Sequence, residues 1–263
     1  MIKVNQIRSI SEAEKLGSID VAGFVVARSS CASTLDLDQC RSLGSVLDCA
    51  HAVHPVGGVD DIGFCREIIA ELKPRYLEFT VVDPEKTELS LAQLDALSRL
   101  DVGKIANGLF LLKDELSLLD RASHMDALVQ AGVEFFQIEV ESLLDPAVRI
   151  GPKVRARVGE FFSRYPAIIG DSFSMSVKVP DVHQRGYYLN LSVDGGRSYD
   201  FSQQHYALSS ALRIIKGLRT APGAPTRRRP RATAPLLRLG LPSLAKKRDR
   251  SPCRMMLSGM AAP

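Results

Sequence analysis

Residues 3–30 read KVNQIRSISEAEKLGSIDVAGFVVARSS, and this stretch contains the unit from which the fold follows. A strand-like run, Lys3–Ile7, precedes a segment with helical spacing, Ser11–Leu16, and a second apolar run, Val21–Ala27. Ser11 and Glu14 have the spacing of a capping box, so we expect the helix to begin at Ser11. The second run lacks polar alternation, which is typical of parallel strands covered on both faces. The stretch therefore predicts a strand–helix–strand unit of a parallel sheet.

The same alternation continues through residues 1–219. Six further apolar runs follow the first two: Ala52–Val56, Tyr76–Val82, Asn107–Leu112, Phe135–Val140, Ala167–Gly170 and Tyr187–Val193. Eight strand–helix units in a segment of this length predict a (βα)8 TIM barrel of the α/β class, near the short end of its size range. An open α/β sheet is the alternative interpretation, although such sheets usually have roughly five to seven strands.

The composition of the 263-residue chain changes after Arg219. Residues 220–263 contain ten Lys and Arg residues and one acidic residue, whereas residues 1–219 contain 24 basic and 29 acidic residues. The net charge of +4 therefore combines an acidic body with a basic tail. The tail includes APGAPTRRRPRATAP, which has no apolar period and cannot bury a face. We divide the chain into a barrel domain, 1–219, and a disordered Arg/Pro-rich tail, 220–263.

The basic tail has three interpretations that the sequence leaves open. It could bind nucleic acid or another anionic surface, it could be a solvated extension, or it could be an out-of-frame translation. No aromatic residue occurs in the tail, which argues against a platform for base stacking. The chain has no apolar run long enough to cross a membrane and no signal-peptide pattern at its start, so we expect a cytoplasmic protein without a membrane span.

Two segments of the chain follow the motifs of a known enzyme family. Lys3 to Ile10 correspond to a strand of the form KICGIT, and Asp20, Gly23–Val25 and Ser30 to a strand of the form GADxxGFVF with its serine-containing loop. The last strand segment, YYLNLSVDGGRSYD (187–200), loosely follows a final strand with a phosphate loop. With these residues the chain resembles phosphoribosylanthranilate isomerase, a barrel of the tryptophan pathway. The resemblance implies the same fold and a phosphorylated small-molecule substrate.

The resemblance also assigns roles to individual residues. Arg8 stands where the family has its catalytic cysteine, and Glu139 is nearest to the family's catalytic aspartate. A guanidinium group, with a pKa above ~12, cannot accept a proton at neutral pH. The resemblance therefore implies a diverged isomerase-like enzyme in which Arg8 binds an anionic group and Glu139 moves the proton. A specialised biosynthetic pathway would suit such a change. The alternative is a non-catalytic barrel that serves as a binding or regulatory module.

A phosphate site is predicted at the last two strand ends. Paired glycines allow backbone N–H groups to approach a phosphate, and the following arginine adds a fork of donors. Barrels often hold phosphate in their seventh and eighth loops. The predicted phosphate-binding residues are Gly195, Gly196, Arg197, Ser198 and Ser172. A glycine turn that needs positive φ is the alternative explanation of the same motif.

Three further residues are candidates for the chemistry of the barrel. Glu139 and Glu141 share one face of a strand, which is either the lumen or the helix layer. In the lumen, Glu139 could act as a general acid or base, or could form an ion pair with Lys113 or Arg8. His51 and His54 lie on opposite faces of a strand and cannot share a metal ion, so His54, nearer the strand end, is the catalytic candidate. We expect no metal and no cofactor.

Overall fold

Eight parallel strands close into a barrel in the structure, which is a computed structural model. The chain divides into two units, Met1–Arg227 and Arg228–Pro263. The described residues all belong to the first unit, and they are 1–17, 19–31, 33–112, 115–140, 151–170, 183–192 and 205–220. The predicted tail, 220–263, lies outside the described residues except for Thr220.

Each strand lies beside its neighbours in chain order, and the eighth strand pairs with the first. The strands are β1 (Ile2–Asn5), β2 (Val21–Val26), β3 (Ala50–Pro55), β4 (Tyr76–Thr80), β5 (Gly103–Phe110), β6 (Val133–Glu139), β7 (Ala167–Gly170) and β8 (Gly186–Asn190). The closing register runs from Ile2 opposite Tyr187 to Asn5 opposite Asn190. The predicted (βα)8 barrel is therefore confirmed, and the open sheet is excluded.

Helices alternate with the strands around the outside of the barrel. The described part of the chain contains α1 (Ile10–Leu16), α2 (Leu37–Gly44), α3 (Ile62–Leu72), α4 (Thr87–Ser98), α5 (Ala122–Gln130), α6 (Pro152–Arg164) and α7 (Leu208–Thr220). A short 3₁₀ helix, Ser117–Asp120, precedes α5. No helix in these described ranges is long and apolar enough to cross a membrane.

The start of α1 differs from the expected one. The capping residue is Ser9, whose backbone is extended, and its hydroxyl accepts from the backbone N–H of Glu12 at 3.2 Å. The Glu12 carboxylate in turn accepts from the backbone N–H of Ser9 at 3.1 Å. Serines at 9 and 11 and glutamates at 12 and 14 offer two capping boxes in overlapping registers. The expectation of Ser11 and Glu14 was wrong: Ser9 and Glu12 form the capping box, and the helix begins at Ile10 with Ala13 and Leu16 buried.

Strand β5 begins four residues earlier than the sequence pattern suggested, at Gly103 instead of Asn107. Its pairing with β6 is irregular between Ala106 and Leu109. Gly108 lies in this interval with φ of +75°, a conformation that favours glycine. The bulge lies within the predicted run, and the missed residues 103–106 begin with a glycine and a lysine, so they lack a continuous apolar pattern.

The barrel interior consists of an apolar floor and a polar layer above it. Five buried residues from five of the strands form the floor: Val21, Ala52, Tyr76, Ile105 and Ile168. A larger apolar cluster lies between the strands and the surrounding helices. Because the floor lies toward the N-terminal ends of the strands, the polar layer faces the C-terminal mouth, where barrel enzymes have their active sites.

Candidate active site

Buried polar side chains from six strands form the layer above the apolar floor. Each of His54, Glu78 and Asn107 stands two residues after a floor residue of its own strand, so it lies on the same inward face. The polar layer consists of Lys3, Asn5, His54, Glu78, Asn107, Gln137, Glu139, Tyr188 and Asn190, and every member is at most 6% exposed. We call this group the lumen network.

An ion pair between β1 and β4 lies at the centre of the lumen network. The Lys3 ammonium is 2.7 Å from Glu78 Oε2, and both side chains are fully buried. Burial lowers the pKa of Lys3, and the attraction of Glu78 opposes that effect. Burial alone would raise the pKa of Glu78, but Lys3, His54 and a hydrogen bond from Asn107 together hold it below its usual range. The 2.7 Å contact between two fully buried side chains of opposite charge type identifies an ion pair.

The Lys3 ammonium also sets the direction of the amides around it. It donates to Gln137 Oε1 at 2.7 Å and to Asn5 Oδ1. The Asn5 amide nitrogen then donates to Asn190 Oδ1 at 2.8 Å and to Gln137 Oε1 at 3.3 Å. An ammonium group has only donors, so the amide oxygens must face it and the amide nitrogens must face away. The ion pair thereby fixes which amide atoms remain for other contacts.

Glu139 lies at the C-terminal end of β6, above Gln137 on the same face. Its side chain is 3% exposed, and Oε2 accepts from the Tyr188 hydroxyl at 3.2 Å. The Tyr188 ring packs on Gly170, where a Cβ atom would lie 2.7 Å from the hydroxyl oxygen. Burial and the Glu139 carboxylate raise the pKa of Tyr188 well above its usual value, so the hydroxyl stays protonated and donates. Glu139 faces the lumen; Glu141 and Lys113 lie outside the described residues.

The two histidines of β3 lie on opposite faces, as the strand period predicts. His54 is 6% exposed in the lumen, where its Nδ1 is 3.5 Å from the Asn107 amide nitrogen. Burial lowers the pKa of His54, an effect that Glu78 opposes, so the imidazole is neutral at pH 7. His51 faces the helix layer and makes an edge contact with Phe24, with ring centroids 5.5 Å apart. Within the described ranges, no three His, Cys, Asp or Glu side chains are grouped to hold a metal ion.

Arg8 lies outside the lumen network, three residues beyond the end of β1. Its backbone N–H donates to the Glu12 carboxylate at 2.8 Å, and its side chain is half-buried. The guanidinium group makes no ion pair or hydrogen bond with any other residue of the described part of the chain. The alternative interpretation of an ion pair between Arg8 and Glu139 is therefore not supported.

The predicted phosphate-binding residues Gly195, Gly196, Arg197, Ser198 and Ser172 lie outside the described residues. The strands that lead to them, β7 and β8, end at Gly170 and Asn190. Both ends lie at the C-terminal mouth of the barrel. The phosphate site therefore stays a prediction.

The prediction from sequence missed most of the lumen network. Only Glu139 and His54 were selected, although Lys3, Glu78 and Gln137 are its central members. A usable signal was present: polar residues recur with a period of two within apolar runs, as in Lys3 and Asn5 or Tyr188 and Asn190. In a strand that is otherwise apolar, this period marks a polar inward face.

The strand order and the polar layer at the mouth define a TIM barrel with a polar lumen. Among solved structures, the phosphoribosylanthranilate isomerase of Thermotoga maritima is similar to this chain with a TM-score of 0.50 and 10% identity, over 82% of this chain and 97% of that one. The expected likeness to this family is confirmed at the level of the fold.

Two further solved structures are similar over most of the barrel. The phosphoribosylanthranilate isomerase of Pyrococcus furiosus is 15% identical, with a TM-score of 0.49 over 82% of this chain and 98% of that one. A 3-hexulose-6-phosphate synthase is 12% identical, with a TM-score of 0.47 over 81% and 98%. No model of a protein family and no curated protein sequence matches the chain. The function is therefore argued from the site.

Proposed function

We propose that this protein is a barrel enzyme, a diverged relative of the phosphoribosylanthranilate isomerases, that acts on a phosphorylated small molecule by acid–base proton transfer. The observation that carries the proposal is the buried Glu139 carboxylate at the C-terminal end of β6, held by the Tyr188 hydroxyl at 3.2 Å. A carboxylate held in one orientation at the mouth of a barrel is suited to take a proton from a bound substrate.

The other proposed roles follow from position and charge. Arg8 would bind an anionic group of the substrate, because its guanidinium is half-buried near the end of β1 and has no carboxylate partner among the described side chains. His54, neutral in the lumen, would donate or accept a hydrogen bond near the reacting atoms. Gly195, Gly196, Arg197, Ser198 and Ser172 would hold the phosphate. The reaction would need no cofactor.

A hydrogen-exchange experiment tests the proton transfer without knowledge of the full reaction. Ribulose 5-phosphate is incubated with the protein in D2O, and the C–H signals next to its carbonyl are followed by proton NMR. We expect protein-dependent loss of these signals, and at least about a hundredfold slower loss for Glu139→Gln, the usual scale of a general base. Glu134→Gln, on the same strand but at the barrel exterior, is the control and should exchange like the wild type.

Complementation of a tryptophan auxotroph that lacks the isomerase decides which reaction is catalysed. Growth would show that the family's own reaction persists without the cysteine. No growth together with exchange in D2O would support the diverged enzyme.

A non-catalytic binding module is the second candidate, favoured by one observation. The Lys3 ammonium has three acceptors within the protein and is unavailable as a reacting group. Binding of inorganic phosphate in calorimetry, weakened by Arg8→Met but not by the exposed Arg66→Met, would support a ligand-binding barrel of either kind. Phosphate binding without any exchange in D2O would favour the module and contradict the enzyme.

A further inference from the structure

Two polar atoms of the lumen network lack partners within the described part of the chain. Asn107 Oδ1 is buried and accepts no hydrogen bond, and its side chain is 1% exposed. Gln137 Nε2 donates to none of the described residues, because both hydrogen bonds of Gln137 are accepted by Oε1. Buried amide groups in folded proteins are nearly always hydrogen-bonded, so Asn107 Oδ1 calls for a partner from outside the protein, and Gln137 Nε2 is a donor that the described residues leave available.

The orientation of both amides is fixed by neighbouring charges. Gln137 Oε1 faces the Lys3 ammonium at 2.7 Å, and rotation of the amide would place two donors against each other. Asn107 Nδ2 donates to Glu78 Oε1 at 2.9 Å, and rotation would place two acceptors against each other. The unpartnered atoms are therefore one donor, on Gln137, and one acceptor, on Asn107.

The donor and the acceptor lie on adjacent strands. Ala106 of β5 is paired with Phe136 of β6, so the next residue of each strand is Asn107 and Gln137, on the inward face. Neighbouring strands are about 4.8 Å apart, a span that a single functional group with its carbon can bridge. A hydroxyl group fits both atoms, because it accepts one hydrogen bond and donates another.

An anionic group fits this position poorly. A carboxylate has no proton to give to Asn107 Oδ1, and the positive charge of Lys3 is already paired with Glu78 at 2.7 Å. The carboxylates of Glu78 and Glu139 would both repel a further negative charge in this layer. The lumen therefore selects a neutral hydroxylated group over a carboxylate.

We infer that Gln137 and Asn107 form a specificity site that binds a hydroxyl group at the buried end of the substrate, so that the substrate class is a polyhydroxylated phosphate without a carboxylate at that end. This inference rests on the proposed function only for the phosphate. The hydroxyl site itself follows from the two unpartnered atoms and the charges beside them.

Binding of two matched ligands tests the inference. Ribitol 5-phosphate and 5-phosphoribonate have the same carbon chain and phosphate, and they differ in having a hydroxymethyl group or a carboxylate at the far end. We expect calorimetry to give at least about tenfold tighter binding of ribitol 5-phosphate, the scale of one satisfied hydrogen-bonding group. Equal or tighter binding of 5-phosphoribonate would overturn the inference.

A variant separates the proposed residues from other causes. Gln137→Glu keeps the acceptor that Lys3 and Asn5 use, removes the donor and adds a negative charge beside the Lys3 ammonium. We expect it to weaken ribitol 5-phosphate about tenfold and to leave the affinity for inorganic phosphate unchanged. Gln130→Glu, exposed at the end of α5, is the matched control. An unchanged affinity of Gln137→Glu for ribitol 5-phosphate would contradict the inference, and if this variant does not fold, the comparison of ligands on the wild-type protein decides.

The failure of this inference and that of the proposed function give different results. Inorganic phosphate that binds as tightly as ribitol 5-phosphate would overturn the hydroxyl site and leave the phosphate proposal intact. Ribitol that binds as tightly as its phosphate would support the hydroxyl site and contradict the phosphate proposal. Absence of binding for all of these ligands at millimolar concentration would overturn both.

Discussion

Replacement of Lys3 by methionine is the strongest perturbation that the lumen network predicts. The change keeps a long apolar side chain and removes the charge that neutralises Glu78, whose carboxylate is fully buried at 2.7 Å from the ammonium. A buried charge that loses its partner costs about 3–5 kcal/mol of unfolding free energy. Gln137 and Asn5 lose their donor as well, but the Gln137 amide can rotate and recover part of that loss.

We therefore expect Lys3→Met to lower the free energy of unfolding by about 4 kcal/mol at pH 7. For a domain of this size that corresponds to a decrease of about 8–16 °C in the melting temperature. Urea denaturation followed by circular dichroism measures the change. A double-mutant cycle with Glu78→Gln provides the control, because the double variant has no unpaired charge. The decrease in unfolding free energy of the double variant should be at least about 2 kcal/mol smaller than the sum of the decreases of the two single variants.

The loss of stability in Lys3→Met should depend on pH in a defined direction. In the wild type the pKa of Glu78 is lowered, so its contribution to stability is present above its unfolded pKa and is lost as the pH falls through the folded value. Without Lys3, burial becomes the main influence and raises the pKa of Glu78. The loss of unfolding free energy in Lys3→Met should then become smaller between pH 7 and about pH 4, because the buried Glu78 carboxyl group becomes neutral. A loss below about 1 kcal/mol at pH 7, or strict additivity in the cycle, would refute the buried-pair argument.

Three further predictions concern other parts of the molecule. Gly170→Ala should lower the free energy of unfolding in urea by about 1–3 kcal/mol, because a Cβ atom would lie 2.7 Å from the Tyr188 hydroxyl oxygen. Gly63→Ala should not destabilise, because its Cβ atom would meet only Asp61 Oδ1, at an ordinary contact distance of 3.4 Å, within helix α3. Cys31, with its pKa lowered to about 7 by hydrogen bonds from neighbouring hydroxyls, should be alkylated by iodoacetamide at pH 7 before the buried cysteines; uniform labelling in peptide mass spectrometry would contradict this. Truncation to residues 1–219 should change the melting temperature by less than about 4 °C and abolish salt-dependent retention on heparin if the tail binds anions; equal retention of both forms would exclude that role.

The architecture was predictable because each strand and helix carries its own local pattern. Apolar runs of strand length, separated by helical spacing, recur through residues 1–219, and eight parallel strands of this kind close into a barrel. The segment 3–30 also resembled the correct fold family. Local signals failed where two registers competed, at Ser9 and Ser11, and at the start of β5, where Gly103 and Lys104 break the apolar pattern.

The site depended on which residues meet across the lumen, and no local pattern contains that information. Lys3 and Glu78 are 75 positions apart on strands that are not neighbours, and their side chains meet only because the sheet closes into a barrel. The sequence indicates that both lie on one face of their strands, since side chains alternate with a period of two. Closure of the barrel turns this face toward the lumen and brings the Lys3 ammonium within hydrogen-bond distance of both Glu78 and Gln137. In the proposed site, one amide atom of Gln137 and one of Asn107 remain for a ligand, because the other atom of each amide is hydrogen-bonded within the protein.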